Sequence, residues 1–76
     1  MLKILVFGQL REIIGSSVIE VDNVMDTTAL HHRLIEVYPA LVNYTFRIAV
    51  DGKLTDGQVP IFPGCTIALL PPFSGG

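Results

Sequence analysis

Between Asp26 and Leu41 the chain carries one stripe of apolar residues at helical spacing, and this stripe limits what the rest can fold into. Leu30, Leu34, Val37 and Leu41 recur at intervals of four, three and four, the pattern of one helix face. Asp26, Thr27 and Thr28 offer side-chain oxygens that can cap the start of the helix. Pro39 sets its end near Tyr38, because the residue before proline disfavours the helical region. A helix with one apolar stripe must bury it against another layer, and the remaining segments read as strands. The expected architecture is a two-layer α+β domain: one sheet packed on one main helix.

The strands follow from alternation. Leu2 to Phe7 places Leu2, Ile4 and Val6 on one side and Lys3, Leu5 and Phe7 on the other. Gly8 to Gly15 breaks the alternation and can hold a short helical turn. Ser17 to Asp22 resumes it, with Ile19 and Val21 facing one way and Val18 and Glu20 the other. Phe46 to Val50 is a third strand, closed by the turn pair Asp51-Gly52. Lys53 to Pro63 is irregular. Pro63-Gly64 turns into a last strand, Cys65 to Leu70, where Cys65, Ile67 and Leu69 share one face and Thr66, Ala68 and Leu70 the other. One helix covers one sheet face. The opposite face should then be polar or bind something, and Phe7 and Leu70 at its strand ends are not polar.

Composition narrows the function. With 76 residues the chain reads as one domain, residues 1–76, with 71–76 an extended tail. Half the residues are hydrophobic and 16% are charged, so a body this small leaves apolar residues exposed, a common mark of a partner surface. The net charge of −2 and the scattered cations Lys3, Arg11, Arg33, Arg47 and Lys53 argue against nucleic-acid binding. Cys65 is the only cysteine, which excludes an intramolecular disulfide. The apolar start, Met1 to Phe7, is too short to span a membrane and lacks a basic leader, so a cytoplasmic location is expected.

After Leu70 the character changes. Pro71 and Pro72 favour an extended, stiff chain and remove two backbone donors, so the strand should stop and the tail should leave the body. Phe73 follows, then Ser74, Gly75 and Gly76 with almost no side-chain bulk. A frayed terminus is the plain reading of such an ending. A diglycine can also enter a channel too narrow for a Cβ and present a carboxylate at the tip of a thin probe. Phe73 is an odd residue for a tail with no partner.

With these residues the sequence resembles the small subunit of molybdopterin synthase, the MoaD-like sulfur carriers of the ubiquitin-like β-grasp superfamily, which implies a mixed sheet packed on one main helix. Val6-Phe7-Gly8-Gln9-Leu10-Arg11-Glu12-Ile13-Ile14-Gly15 is similar to that family's apolar strand and Leu-Arg-Glu turn. Pro63 to Gly76 is similar to its most specific stretch, with Pro-Pro, one apolar residue, a small residue and Gly-Gly. Pro63 and Cys65 stand where the family usually has acidic residues flanking Gly64, and Phe73 is bulkier than the usual Val or Ile. The resemblance implies that Gly76 is adenylated and then converted to a thiocarboxylate, which gives sulfur to a cyclic pyranopterin precursor. It implies that Pro71, Pro72, Phe73, Ser74 and Gly75 thread partner active sites, and that Phe7, Arg11, Leu54 and Leu70 contact the partner. Core packing is an equally good reading of Phe7, Leu54 and Leu70 from periodicity alone. The implied partners are the large synthase subunit, a ubiquitin-activating-like adenylyltransferase and a sulfur donor of desulfurase or rhodanese type. ATP and magnesium would be used by the activating partner, with no cofactor bound to this chain and no catalysis of its own.

Other residues point nowhere specific. His31 and His32 are adjacent, about 100° apart on a helix, whereas two ligands would want a spacing of three or four. Cys65 reads as a small hydrophobe, and Glu12, Glu20 and Glu36 as solvated. No phosphate-binding glycine pattern is present. Two alternatives stay open: a β-grasp carrier or protein modifier of another pathway (thiamine, tRNA thiolation, cysteine), and a plain binding domain with an inert tail.

Overall fold

The computed structural model describes residues 1–72; the expectations placed on Phe73, Ser74, Gly75 and Gly76 lie outside the described residues. The chain runs β1 (Leu2–Val6), α1 (Leu10–Ile14), β2 (Val18–Val21), α2 (Thr27–Val37), a 3-10 turn (Pro39–Asn43), β3 (Arg47–Val50), β4 (Lys53–Leu54) and β5 (Ile67–Leu70). The five strands form one sheet in the order β2-β1-β5-β3-β4. β1 and β5 pair in parallel at its centre, and the other neighbours pair antiparallel. This is the expected mixed sheet with one main helix.

Alternation decides which side of each strand is covered. Ile4 and Val6 of β1, Ile67 and Leu69 of β5 and Ile48 of β3 are buried, and they join Leu30 and Leu34 of α2 in one apolar cluster. Each fully buried leucine contributes on the order of 1.5–3 kcal/mol. The stripe needs one correction. Val37 is 48% exposed, while Leu41 is fully buried but belongs to the 3-10 turn. Pro39 is the cause: Tyr38 leaves the helical region (φ −126°, ψ 78°), so α2 stops at Val37 and the turn carries Leu41 back to the core. The last strand also begins later than expected. Cys65 closes a turn in which its N–H donates to the Phe62 carbonyl at 3.1 Å, with Pro63 second and Gly64 third at φ 91°. Thr66 instead meets Asp51, whose carboxylate accepts from the Thr66 N–H at 2.9 Å.

The start of α2 is fixed by two neighbouring side chains with different tasks. Asp26 is the N-cap: its carboxylate accepts from the Ala29 N–H at 2.8 Å and from the Gln58 amide at 2.6 Å. Thr27 is buried and pins the loop before β5. Its hydroxyl donates to the Gly57 carbonyl at 3.1 Å and accepts from the Val59 N–H at 3.0 Å. The irregular segment is therefore tied to the helix, with a bridge between Asp26 and Pro60.

Two measurements check this account. Leu34→Ala should destabilise the fold by about 2–5 kcal/mol in urea unfolding, through lost burial and the cavity left behind. The Asp26 carboxyl is held below its ordinary range, first by the Ala29 N–H, then by Gln58. A lowered folded value means that its charge contributes stability above the unfolded carboxyl range and loses it as pH falls through the folded value. Asparagine caps well without titrating. The stability advantage of wild type over Asp26→Asn should therefore shrink as pH is lowered below about 4, and a pH-independent difference would contradict the assignment.

Candidate functional site: the base of the tail and the open sheet face

The register of the sheet assembles an apolar surface that no single strand reveals. Leu5 of β1 stands opposite Val18 of β2 and beside Ala68 of β5; Ala68 stands opposite Ala49 of β3, and Ala49 opposite Leu54 of β4. Cross-strand partners share a face. Val18, Leu5, Ala68, Ala49 and Leu54 thus form one row across all five strands, on the side away from α2. The next row along β1 and β5 holds Phe7 and Leu70, with Arg47 opposite Leu70. The row on the other side holds Lys3, paired with Glu20. The row on this face thus has exposed Val18 and Leu54 at its ends, half-buried Leu5 and Ala68 and buried Ala49 between them, and charged residues in the rows beside it.

The sequence-predicted contact residues lie in the following places. Phe7 is 42% exposed and Leu54 53% exposed, and Leu70 is half-buried. Phe7 and Leu54 are thus outside the core, so for these two the core-packing alternative is set aside. Arg11 is exposed on α1, the same short helix that carries Leu10 and Ile13. Phe7 and Leu70 also line a groove of about 670 Å³ together with Leu10, Ile13, Tyr44 and Pro71. Leu54 lies at the far edge of the sheet and takes no part in that groove. Leu5, Val18, Ala49 and Tyr44 were not singled out from sequence. The outward positions of Leu5, Val18 and Ala68 were legible in the alternation, but the register that aligns them was not.

The tail begins at the same end of the sheet. Because β1 and β5 run in parallel, the C-terminal end of β5 emerges beside the loop that follows β1. The Phe7 N–H donates to the Leu69 carbonyl at 3.0 Å, extending the ladder by one step beyond β1. Pro71 has no donor to continue it. The strand stops at Leu70, as the two prolines predict, but Pro71 does not leave the body: it is half-buried, and the exposed part begins at Pro72.

The remaining candidates stay structural. His31 stacks on Phe46 with ring centroids 4.9 Å apart, and His32 meets His31 edge-on at 6.5 Å. Among the described residues no group of three His, Cys, Asp or Glu side chains could hold a metal ion. The Cys65 sulfur accepts from the Phe62 N–H at 3.4 Å, within its own turn. Glu36 faces Arg33 at 3.7 Å on the surface. No helix among the described residues is long and apolar enough to cross a membrane.

The face assignment carries its own check. Phe7→Ala and Leu54→Ala truncate side chains that are only about half buried, so each should lower unfolding free energy by about 1 kcal/mol, well short of the core substitution. A loss as large as that of Leu34→Ala would place them in the core.

Comparison with known proteins agrees with this geometry. SAMP1 from Haloferax volcanii shares 24% identity with the chain and superposes with a TM-score of 0.78, over 99% of this chain and 98% of that one. A Pyrococcus furiosus protein assigned as molybdopterin converting factor, subunit 1, shares 17% identity with a TM-score of 0.80, over 95% of this chain and 97% of that one. At these identities the likeness shows the fold, a β-grasp. The sequence signature of the ThiS family matches residues 4–76. The chain belongs to the ThiS family of ubiquitin-like sulfur carriers and modifiers.

Proposed function

We propose that this chain is the sulfur-carrier subunit of a molybdopterin synthase and that its reacting group is the carboxylate of Gly76. The observation that carries the reading is the sequence Pro71-Pro72-Phe73-Ser74-Gly75-Gly76, which follows the central strand β5, whose end at Leu70 adjoins the apolar row of the open sheet face. A free carboxylate is a poor electrophile. A ubiquitin-activating-like partner, using ATP and magnesium, supplies a leaving group by adenylating Gly76. The terminal persulfide sulfur of a desulfurase- or rhodanese-type donor then displaces AMP, and a second thiol of the partner reduces the resulting acyl disulfide, leaving the thiocarboxylate on Gly76 and a disulfide on the partner. The thiocarboxylate is anionic at neutral pH, and its sulfur is a soft nucleophile, as in thiolates.

The charged carrier docks on the large synthase subunit through Phe7, Leu54 and Leu70, with Arg11 at the rim. Its tail from Pro72 to Gly75 threads the partner's active site while Pro71 stays against the body, and there sulfur passes to a cyclic pyranopterin precursor. Acid–base groups are needed only on the partners, so the chain acts as a substrate of one enzyme and a donor in another. Protein conjugation, or sulfur carriage for thiamine, tRNA or cysteine, would use the same activated Gly76; the likeness to SAMP1 is the observation that keeps conjugation in view. The Pro71-Pro72 step favours the molybdopterin pathway.

Removal of Gly76 tests the reading. The truncated chain should bind the activating enzyme and the large subunit as the full chain does, yet support no ATP–pyrophosphate exchange and deliver no sulfur. Retention of full pathway activity by the truncated chain would mark a binding domain with an inert tail.

A further inference from the structure

The contact between Gly8 and Pro71 has no part in the core and no part in the chemistry described above. A Cβ built on Gly8 would lie 2.7 Å from Pro71 Cγ and 3.3 Å from Pro71 Cδ. Real side chains do not tolerate the first of these, so the Pro71 ring would have to change its pucker or the backbone on one side would have to move. Gly8 also has φ 61°, in the left-handed region. Gly15, at the other end of the same short segment, has φ 88° and nothing within 4 Å of where its Cβ would be. Both glycines answer a backbone demand. Only Gly8 answers a second one: the ring of the first tail residue fills the space that its side chain would occupy.

We infer that Gly8 is a positioning residue, the seat on which Pro71 rests and which sets the direction in which the tail leaves the body; its consequence for activity rests on the carrier reading. The ladder clamps the two strands up to the Phe7–Leu69 bond. Proline fixes its own φ near −65°. With the ring seated on Gly8, the path of the chain into Pro72 is set by the body and not by the tail. A partner that grips the open face and the tail together needs that angle. An extended chain advances about 3.1 Å per residue, so over five residues a tilt of about 20° at the base moves the tip by roughly 5 Å. Misplacement of a reacting group by as little as about 1 Å can cost on the order of a hundredfold in rate.

A double-mutant cycle tests this, with Gly15→Ala as the control for backbone strain. Gly8→Ala and Gly15→Ala should both lower Tm. Only Gly8→Ala should lower kcat/KM for adenylation by the activating enzyme, by roughly a hundredfold. Pro71→Ala, which introduces no strained φ, should lower kcat/KM with little change in Tm. In the Pro71→Ala background Gly8→Ala should cost no further activity, because the ring it collides with is gone. Equal adenylation of the Gly8→Ala and Gly15→Ala proteins, or additive losses in the double variant, would overturn the inference.

A readout independent of activity separates this from failure of the carrier reading. NMR should show close contact between the Gly8 α-protons and the Pro71 ring in wild type. A spin label at Ser74→Cys in a Cys65→Ser background should broaden the same body amides in Gly15→Ala as in wild type, and different ones in Gly8→Ala. If wild type is not adenylated but these patterns hold, the seat stands and the carrier reading falls. If the patterns are the same in all three proteins, the seat falls.

Discussion

The parallel ladder between β1 and β5 is the constraint on which the rest depends. It puts the first and last strands side by side at the centre of the sheet, with Ile4 beside Ile67 and Val6 beside Leu69. Parallel strands are at home only when well buried, and the core-facing members of this pair are. The direction of the pair has a second effect. Since both strands point the same way, the chain that follows β5 must emerge next to the chain that follows β1. Phe7, Gly8, Leu70 and Pro71 are therefore neighbours, although more than sixty positions separate them in sequence. The hydrophobic packing that stabilises the fold also decides where the tail begins.

The two faces of the sheet divide the work. One holds Ile4, Val6, Ile48, Ile67 and Leu69 against the helix layer. The other carries half-buried Leu5 and Ala68, buried Ala49 and exposed Leu54 in a row, with Phe7 and Leu70 in the row beside it. In a body of this size, residues that leave apolar surface in water cost solubility and contribute little to the core. Their presence on one face, with charged residues in the neighbouring rows, is what a partner surface requires. The tail then needs only to be thin, extended and aimed from a fixed base.

Much of this was legible in the sequence, for definite reasons. The spacing of Leu30 and Leu34 gave the helix, and the period of two in Leu2 to Phe7 and Ile67 to Leu70 gave the strands and their buried sides. Val37 and Leu41 were misplaced at the helix end because periodicity does not register the 3-10 turn that Pro39 starts. Asp26 and Thr27 are both capping residue types, and only tertiary contacts with Gly57, Gln58 and Val59 separate the cap from the pin. Phe7 and Leu54 stayed undecided until the pairing register was known, because a strand residue's face follows from alternation but its exposure follows from what covers that face. The role of Gly8 was not legible at all: its partner, Pro71, is brought to it by the fold. The tail beyond Pro72 was read from residue chemistry alone.

The central claim is that function resides in the carboxylate of Gly76 and that the body exists to dock and aim it. Intact-mass analysis of the protein made in a cell with a competent activating enzyme and sulfur donor tests this most directly. The account predicts a species heavier by the replacement of one oxygen by sulfur, mapped by fragmentation to Gly76. Absence of that species under those conditions, or sulfur found instead as a persulfide on Cys65, heavier by one whole sulfur atom, would contradict it.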